Sequence, residues 1–291
     1  MGFGAKVLAD SLSPAGVRLT TLEVTMPRIV LAEFNTHRMF SRSSASSRAI
    51  PVPDRIAAVR RDPFIPAAFG KNQRGMQAAT TLAEGETKEA LSAWTSAMDT
   101  ALFYAGRLAE LEVHKQLANR LLEPFSWHTV IVTATEWQNF WGLRISPLAQ
   151  PEIAEPARLM KLAMDASVPK PVPYGGWHLP LVPDLEELQS FLSPEEVCKV
   201  SVARCARVSY LTHDGKRDVQ ADVKLFERLA SNGHMSPLEH VATPLGWEGN
   251  VGSEVAPGWE TSAFSGNFRG WKQLRKDYPH EADFSAREAS T

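Results

Sequence analysis

Between Thr36 and Arg48 the chain concentrates His37, three arginines (Arg38, Arg42, Arg48) and five serines (Ser41, Ser43, Ser44, Ser46, Ser47) in thirteen residues. Arginine forks hold phosphate or carboxylate through paired hydrogen bonds, and serine hydroxyls with adjacent backbone amides complete such a cradle. The run is therefore a candidate oxyanion site; a solvated serine-arginine loop is the other reading of the same composition. A second candidate is Asn232 to His240, where His234 and His240 stand six apart and share no helical face. No HExxH pattern or Cys/His group accompanies them, so no metal is expected, and structural use of both histidines is the alternative. Arg120, Arg144 and Gln150 form a third, scattered set, and lone arginines on amphipathic helices are ordinarily surface ion pairs.

The elements that must position these residues follow from periodicity. Leu22, Val24 and Met26 alternate with polar neighbours before Ile29, Val30 and Leu31, so Val17 to Phe34 reads as strand with Pro27 as a break or edge. Pro51, Pro53, Pro63 and Pro66 punctuate a region of loops and short helices. Leu91, Trp94, Met98, Ala101, Ala105 and Leu108 step by three and four, which predicts one long helix, or two in succession, from Thr87 to Leu122, ended by Pro124. Thr133 and Glu136 make a capping-box pattern, so a helix is expected to start at Thr133 and carry Trp137, Phe140, Trp141 and Arg144 on one face. The proline-rich stretch 167–183 reads as an irregular connection. Ser193, Pro194 and Glu196 then open a helix to about Arg207, and another spans Val219 to Ser231 and closes at Gly233. The polar tail after Pro279 is expected to fray.

A chain of 291 residues with 44% hydrophobic content can bury a large core as one domain or two closely packed ones. Its net charge of -2 supplies no field for nucleic acid, so any phosphate must meet a local arginine cluster. No stretch approaches the ~18 apolar residues of a membrane span, and the N-terminal sequence has no signal-peptide pattern. Cys198 and Cys205, without CxxC spacing, favour a reducing compartment. Together these predict a cytoplasmic protein bound to neither membrane nor nucleic acid.

The segments resemble those of the flavin-dependent thymidylate synthases. That family's signature is Arg-His-Arg, two residues, Ser, one residue, Asn, two or three residues, Ser, one residue, Arg; here Thr36-His37-Arg38 is followed by Ser41, Ser43, Ser46 and Arg48. Ala118 to Pro124 resembles the family's Ala-Arg-x-x-Leu-Pro helix end, and Asn139 to Ile153 resembles Asn-Phe-x-x-Leu-Arg-x-x-x-x-Ala-Gln-x-Glu-Ile. Cys205 to Tyr210 and Gly233 to His240 resemble segments that precede the signature in the family but follow it here, which implies a circularly permuted, phage-type member.

The resemblance implies an enzyme that makes dTMP from dUMP, taking a methylene group from methylenetetrahydrofolate and reducing equivalents from NADPH through bound FAD. No cysteine nucleophile is needed in that scheme. Position by position, it implies that His37, Arg38, Asn139, Ser209, His234 and Ser236 line the flavin site. Ser46, Ser47, Arg48 and Arg120 would hold the nucleotide phosphate, with Ser44 and Glu33, the latter where the family has Gln, also at the nucleotide. Arg144 would face the pyrimidine carbonyl edge and stabilise charge developing on the ring, making Arg144 and Ser46 the catalytic candidates. Thr36 and Ser44 each replace a charged residue of the family pattern. In the basic, aromatic stretch Gly266 to Lys276, Arg269, Gln273 or Arg275 is expected either to reach into the site as compensation or to lie on a solvated basic helix.

The expected fold is α+β, of the flavin-dependent thymidylate synthase kind, with a mixed or antiparallel sheet and long helices. It is expected as a single domain over 1–291: a signature and helical part (1–166), the proline-rich connection (167–192), a permuted module (193–247) and a C-terminal extension (248–291). The resemblance further implies a homotetramer with sites at subunit interfaces and a small-molecule nucleotide as ligand. Rival readings are a pyrimidine hydroxymethylase or methylase acting on dUMP or dCMP, and a nucleotide-binding homologue without redox activity.

Overall fold

A computed structural model describes residues 2–75, 77–209, 218–246 and 266–278. In chain order its elements begin with the strands β1 (Gly4–Leu12) and β2 (Arg18–Pro27), a short helix α1 (Leu31–Asn35) and the strand β3 (Ser41–Ser44). Helices α2 (Val52–Arg61), α3 (Glu84–Glu110) and α4 (Lys115–Ala118) follow, then β4 (Trp127–Ala134), α5 (Gln138–Arg144), α6 (Pro151–Asp165) and β5 (Lys170–Pro171). The rest comprises α7 (Leu185–Gln189), α8 (Pro194–Ala206), α9 (Val219–Ser231), β6 (Ala242–Pro244) and β7 (Trp271–Gln273).

The five-stranded sheet runs β3-β4-β2-β1-β5, antiparallel except where β1 pairs in parallel with β5, so the fold is α+β with a mixed sheet. Strand alternation divides its two faces. Leu22, Val24 and Met26 of β2 and Val130, Val132 and Ala134 of β4 point to one face, where Phe140 and Trp141 of α5 and Ile153, Ala157 and Met160 of α6 complete the core. On the other face Ile131 packs on Cys205 and Val208, Thr21 meets His178, and Thr133 meets His240. A satellite cluster of Val59, Met98, Leu102, Leu122 and Phe125 joins α2, α3 and the 3-10 turn Asn119–Phe125.

The helices expected from Ser193 and Val219 form as α8 and α9, with a full capping box at Ser193 and Glu196 and a left-handed Gly233 (φ 67°) after α9. A buried ion network clamps the pair: Asp222 accepts from Arg204 at 3.3 Å and from Arg207 at 2.9 Å.

Several expectations fail for identifiable reasons. The strand ends at Pro27 instead of running to Phe34: past the last cross-strand pair, Pro27 with Trp127, the chain turns helical and places Val30 and Phe34 four apart in the core. No helix begins at Thr133. That residue lies in β4, paired with Thr21 and Ser41, so cross-strand pairing overrides the local capping pattern and α5 starts only at Gln138. The expected helical stretch forms as segments in succession, α3 to Glu110 and then α4 with the 3-10 turn Asn119–Phe125, which ends one residue beyond Pro124. The stretch 266–276 is not a basic helix. Its centre is β7, paired with β6, and Trp271 and Gln273 are fully buried. The tail after Pro279 lies outside the described residues.

Candidate active site

The turn after α1, the edge strand β3 and the last turn of α5 bring the first group of site residues together. Arg144 donates from Nε to His37 Nε2 at 2.9 Å and from Nη2 to the Glu33 carbonyl and to Thr36 Oγ1, each at 3.3 Å. The His37 ring stands edge-on to Phe140 at 4.8 Å between centroids and packs near Phe40, so aromatic walls fix its orientation. Burial, with the Arg144 and Arg42 guanidiniums beside it, pushes His37 down to about 4. The ring is therefore neutral near pH 7, with Nε2 accepting and the proton assigned to Nδ1. Glu33 Oε2 is buried without a hydrogen-bond partner among the described residues. Arg42, half-buried, donates to the Phe34 and His37 carbonyls and ties this turn to β3.

A second group surrounds Glu123. Its Oε1 accepts from Ser47 Oγ at 2.5 Å, Arg120 Nη1 at 2.8 Å and Arg28 Nη2 at 2.9 Å. Asn119, buried, donates to the Ser47 and Ile50 carbonyls at 2.8 Å and so holds the turn that presents Ser47 and Arg48. Burial alone would raise the Glu123 carboxyl, but the Ser47 hydrogen bond and the Arg28 and Arg120 charges outweigh it and hold the carboxyl below its ordinary range. Behind it His128 is pushed down to about 3 by burial and by Arg28 and Arg55.

The two distant stretches also meet. His240, fully buried, is hydrogen-bonded through Nε2 to Ser43 Oγ at 3.0 Å and through Nδ1 to Thr133 Oγ1 at 2.8 Å. Arg275 is ion-paired with Glu239, Gln273 Nε2 donates to Ser41 Oγ at 3.1 Å, and Asn267 Nδ2 donates to the Met39 carbonyl at 3.0 Å. The expectation for this stretch thus divides. Gln273 and Asn267 buttress β3 from behind, and Arg269 faces outward beside Glu136 at 3.5 Å.

Among the residues singled out from sequence, Glu33, His37 and Arg144 cluster, and Ser47 and Arg120 cluster around Glu123. Arg38, Ser44, Ser46, Arg48 and Asn139 lie exposed along the same segments. His234 and Ser236, also exposed, flank the turn that carries His240; among the described residues neither side chain hydrogen-bonds to the His37 group. Ser209 ends the 3-10 turn Arg207–Ser209 at the border of the described residues. Gln150 stands at the N-cap position of α6, without a side-chain cap hydrogen bond. Sequence reading missed Arg28, Glu123, His128, His178, Asn267 and the buttressing role of Gln273. Only Glu123 had a signal, standing where the family pattern has Leu before Pro.

Both cysteines are buried, and burial raises Cys198 to about 12 and Cys205 further, which leaves neither as a thiolate nucleophile near neutral pH. Among the described residues no group of three His, Cys, Asp or Glu is placed to hold a metal, and no helix is long and apolar enough to cross a membrane.

The profile of the family described as "Thymidylate synthase complementing protein" matches residues 10–170, more than half of the chain. No curated protein sequence matches. Among solved structures, the chain is similar to a UMP/dUMP methylase, PolB, from Streptomyces cacaoi bound with 5-Br UMP (16% identity, TM-score 0.47, covering 56% of this chain and 88% of that one). It is also similar to the same enzyme bound with 5-Br dUMP (15% identity, TM-score 0.46, 56% and 89% coverage). Likeness at that level is too distant to bear on function.

Proposed function

Since the chain belongs to the thymidylate synthase complementing protein family, we propose that it is a flavin-dependent methyltransferase that converts dUMP to dTMP with methylenetetrahydrofolate and NADPH. The observation that carries this reading is the Arg144–His37 hydrogen bond at 2.9 Å, which joins the Asn139–Ile153 segment to the Thr36–Arg48 run. A neutral His37 adds no charge of its own beside Arg144, whose guanidinium is then available to stabilise negative charge on a pyrimidine as its C5 attacks the methylene carbon. Glu33 Oε2, buried and unpartnered among the described residues, fits a polar edge of the base. Ser46, Ser47, Arg48 and Arg120 are the residues for the phosphate, with Ser44 alongside.

Arg38, Asn139, His234 and Ser236, all exposed, suit the flavin's polar groups, and His37 and Ser209 belong to the same reading. When bound, FAD supplies the electrons that reduce the transferred carbon to a methyl group. In the same proposal the chain is a circularly permuted, phage-type member with 1–166, 167–192, 193–247 and 248–291 as its parts. The Ser43–His240 hydrogen bond brings the serine-arginine run and the Gly233–His240 segment to one wall, as the reading requires in either order of the segments. In the same proposal the chain is a homotetramer with sites at subunit interfaces, and exposed Phe103, Tyr104, Leu111 and Leu117 on and after α3 support an apolar interface there.

The test is to purify the chain, record its visible spectrum, and incubate it with FAD, NADPH, methylenetetrahydrofolate and dUMP, with dCMP and UMP in parallel. A flavin spectrum and a product in which a methyl group replaces one hydrogen of dUMP are expected. Failure to bind flavin, or a hydroxymethyl product, would overturn the reading.

A further inference from the structure

Three donors converge on one carboxylate oxygen at Glu123: the Ser47 hydroxyl at 2.5 Å, Arg120 at 2.8 Å and Arg28 at 2.9 Å. Ser47 is 2% exposed and the Arg28 side chain 12%, so two of the donors are built into the protein and cannot swing freely to other partners. Asn119 further fixes the Ser47 turn through two 2.8 Å hydrogen bonds. Two fixed donors and a third, exposed one around a single oxygen make a cradle that suits a phosphoryl oxygen, and Ser47 and Arg120 are among the groups that the proposed function assigns to the phosphate. Glu123 also stands where the family's helix-end pattern has Leu, which can accept nothing.

Resting on that reading of the site, we propose that Glu123 is a specificity-determining residue of the phosphate subsite, an internal carboxylate that occupies the donor cradle and that the nucleotide's phosphate must displace. The carboxyl is ionised near neutral pH, so an arriving phosphate meets a like charge and must also compete for Ser47, Arg120 and Arg28. The chain therefore discriminates only weakly between a nucleotide and its uncharged nucleoside, and further phosphates on the ligand add repulsion. A purely structural Glu123, serving only to anchor Ser47, would on substitution leave the preference for nucleotide over nucleoside unchanged or lower it.

The experiment is calorimetric titration of the full-length protein, and of its Glu123→Gln and Glu123→Asp variants, with dUMP and separately with deoxyuridine. Glutamine keeps the shape and one acceptor oxygen while removing the charge; aspartate keeps the charge. Thermal melting establishes that each variant is folded. In Glu123→Gln the preference for dUMP over deoxyuridine is expected to rise about tenfold or more, as relief of like-charge repulsion at close range predicts, whereas Glu123→Asp keeps the wild-type preference. A preference that stays constant or falls in Glu123→Gln overturns the inference and leaves the nucleotide reading intact. Absence of dUMP and deoxyuridine binding in every form overturns both.

Discussion

His178 and His240 are coupled through the sheet by two threonine hydroxyls. His178 Nε2 meets Thr21 Oγ1 at 2.7 Å, Thr21 meets Thr133 at 2.7 Å, and Thr133 meets His240 Nδ1 at 2.8 Å. Ser11 at 2.7 Å from His178 Nδ1 and Ser43 at 3.0 Å from His240 Nε2 close the two ends. All six side chains are buried, and burial pushes both imidazoles down to about 3, so both are neutral. Each hydroxyl and each neutral ring brings one proton to donate. When both threonine protons are used within the chain, it runs in one direction, and both rings carry the proton on the same nitrogen, Nδ1 in one direction or Nε2 in the other.

Nitrogen-15 NMR of histidine-labelled protein is expected to show His178 and His240 in the same neutral tautomer at pH 7. Thr21→Val should uncouple them and cost about 1–3 kcal/mol, since it leaves buried partners unmade. Opposite tautomers in the wild type would contradict the directional chain.

Four buried or half-buried histidines have depressed pKa values: His37 at about 4, and His128, His178 and His240 at about 3. In the unfolded chain they titrate near ~6.5. As pH falls below that value the unfolded state takes up protons that the folded state refuses, so stability is greatest above it and declines toward about 4 and then 3. Urea midpoints should fall between pH 7.5 and 5, above the range where most carboxylates titrate. A flat profile over that window would refute the neutral assignment.

Arg144→Gln removes a charge that lowers His37, so the His37 pKa should rise, though not to its ordinary value because burial is the larger cause. Turnover on the proposed substrate should drop by about a hundredfold or more if the guanidinium stabilises charge on the base. An unshifted His37 by NMR would show that the hydrogen bond does not persist in solution.

Phe140 links the core to the site, lying against Phe34, Phe40 and Trp141 as well as His37. Phe140→Ala should cost about 3–5 kcal/mol in chemical denaturation and broaden the His37 resonances. A loss below about 1 kcal/mol would mean that the cavity collapses around the gap.

Gln273→Ala withdraws the amide that donates to Ser41 and to Asn267 at 2.8 Å. Destabilisation of about 1–3 kcal/mol is expected, together with faster amide exchange along β3. Exchange unchanged at Ser41 to Ser44 would separate the C-terminal strand from the site wall.

The sequence alone determined those features that depend on neighbours in the chain: the helices opening at Ser193 and Val219, where caps and apolar spacing agree, and the concentration of arginine and serine between Thr36 and Arg48. It also carried the family resemblance, whose core the profile match over 10–170 supports. Tertiary structure decided the rest, because long-range pairing competes with local signals and wins where it satisfies more buried groups. Thr133 carries a helix-cap signature yet lies in a strand between Thr21 and His240. Gln273 reads as part of a basic surface stretch yet is wholly buried against Ser41. Glu123 looks like an ordinary carboxylate beside a proline, and only the approach of Ser47 and Arg28 from elsewhere in the chain makes its oxygen the centre of a cradle.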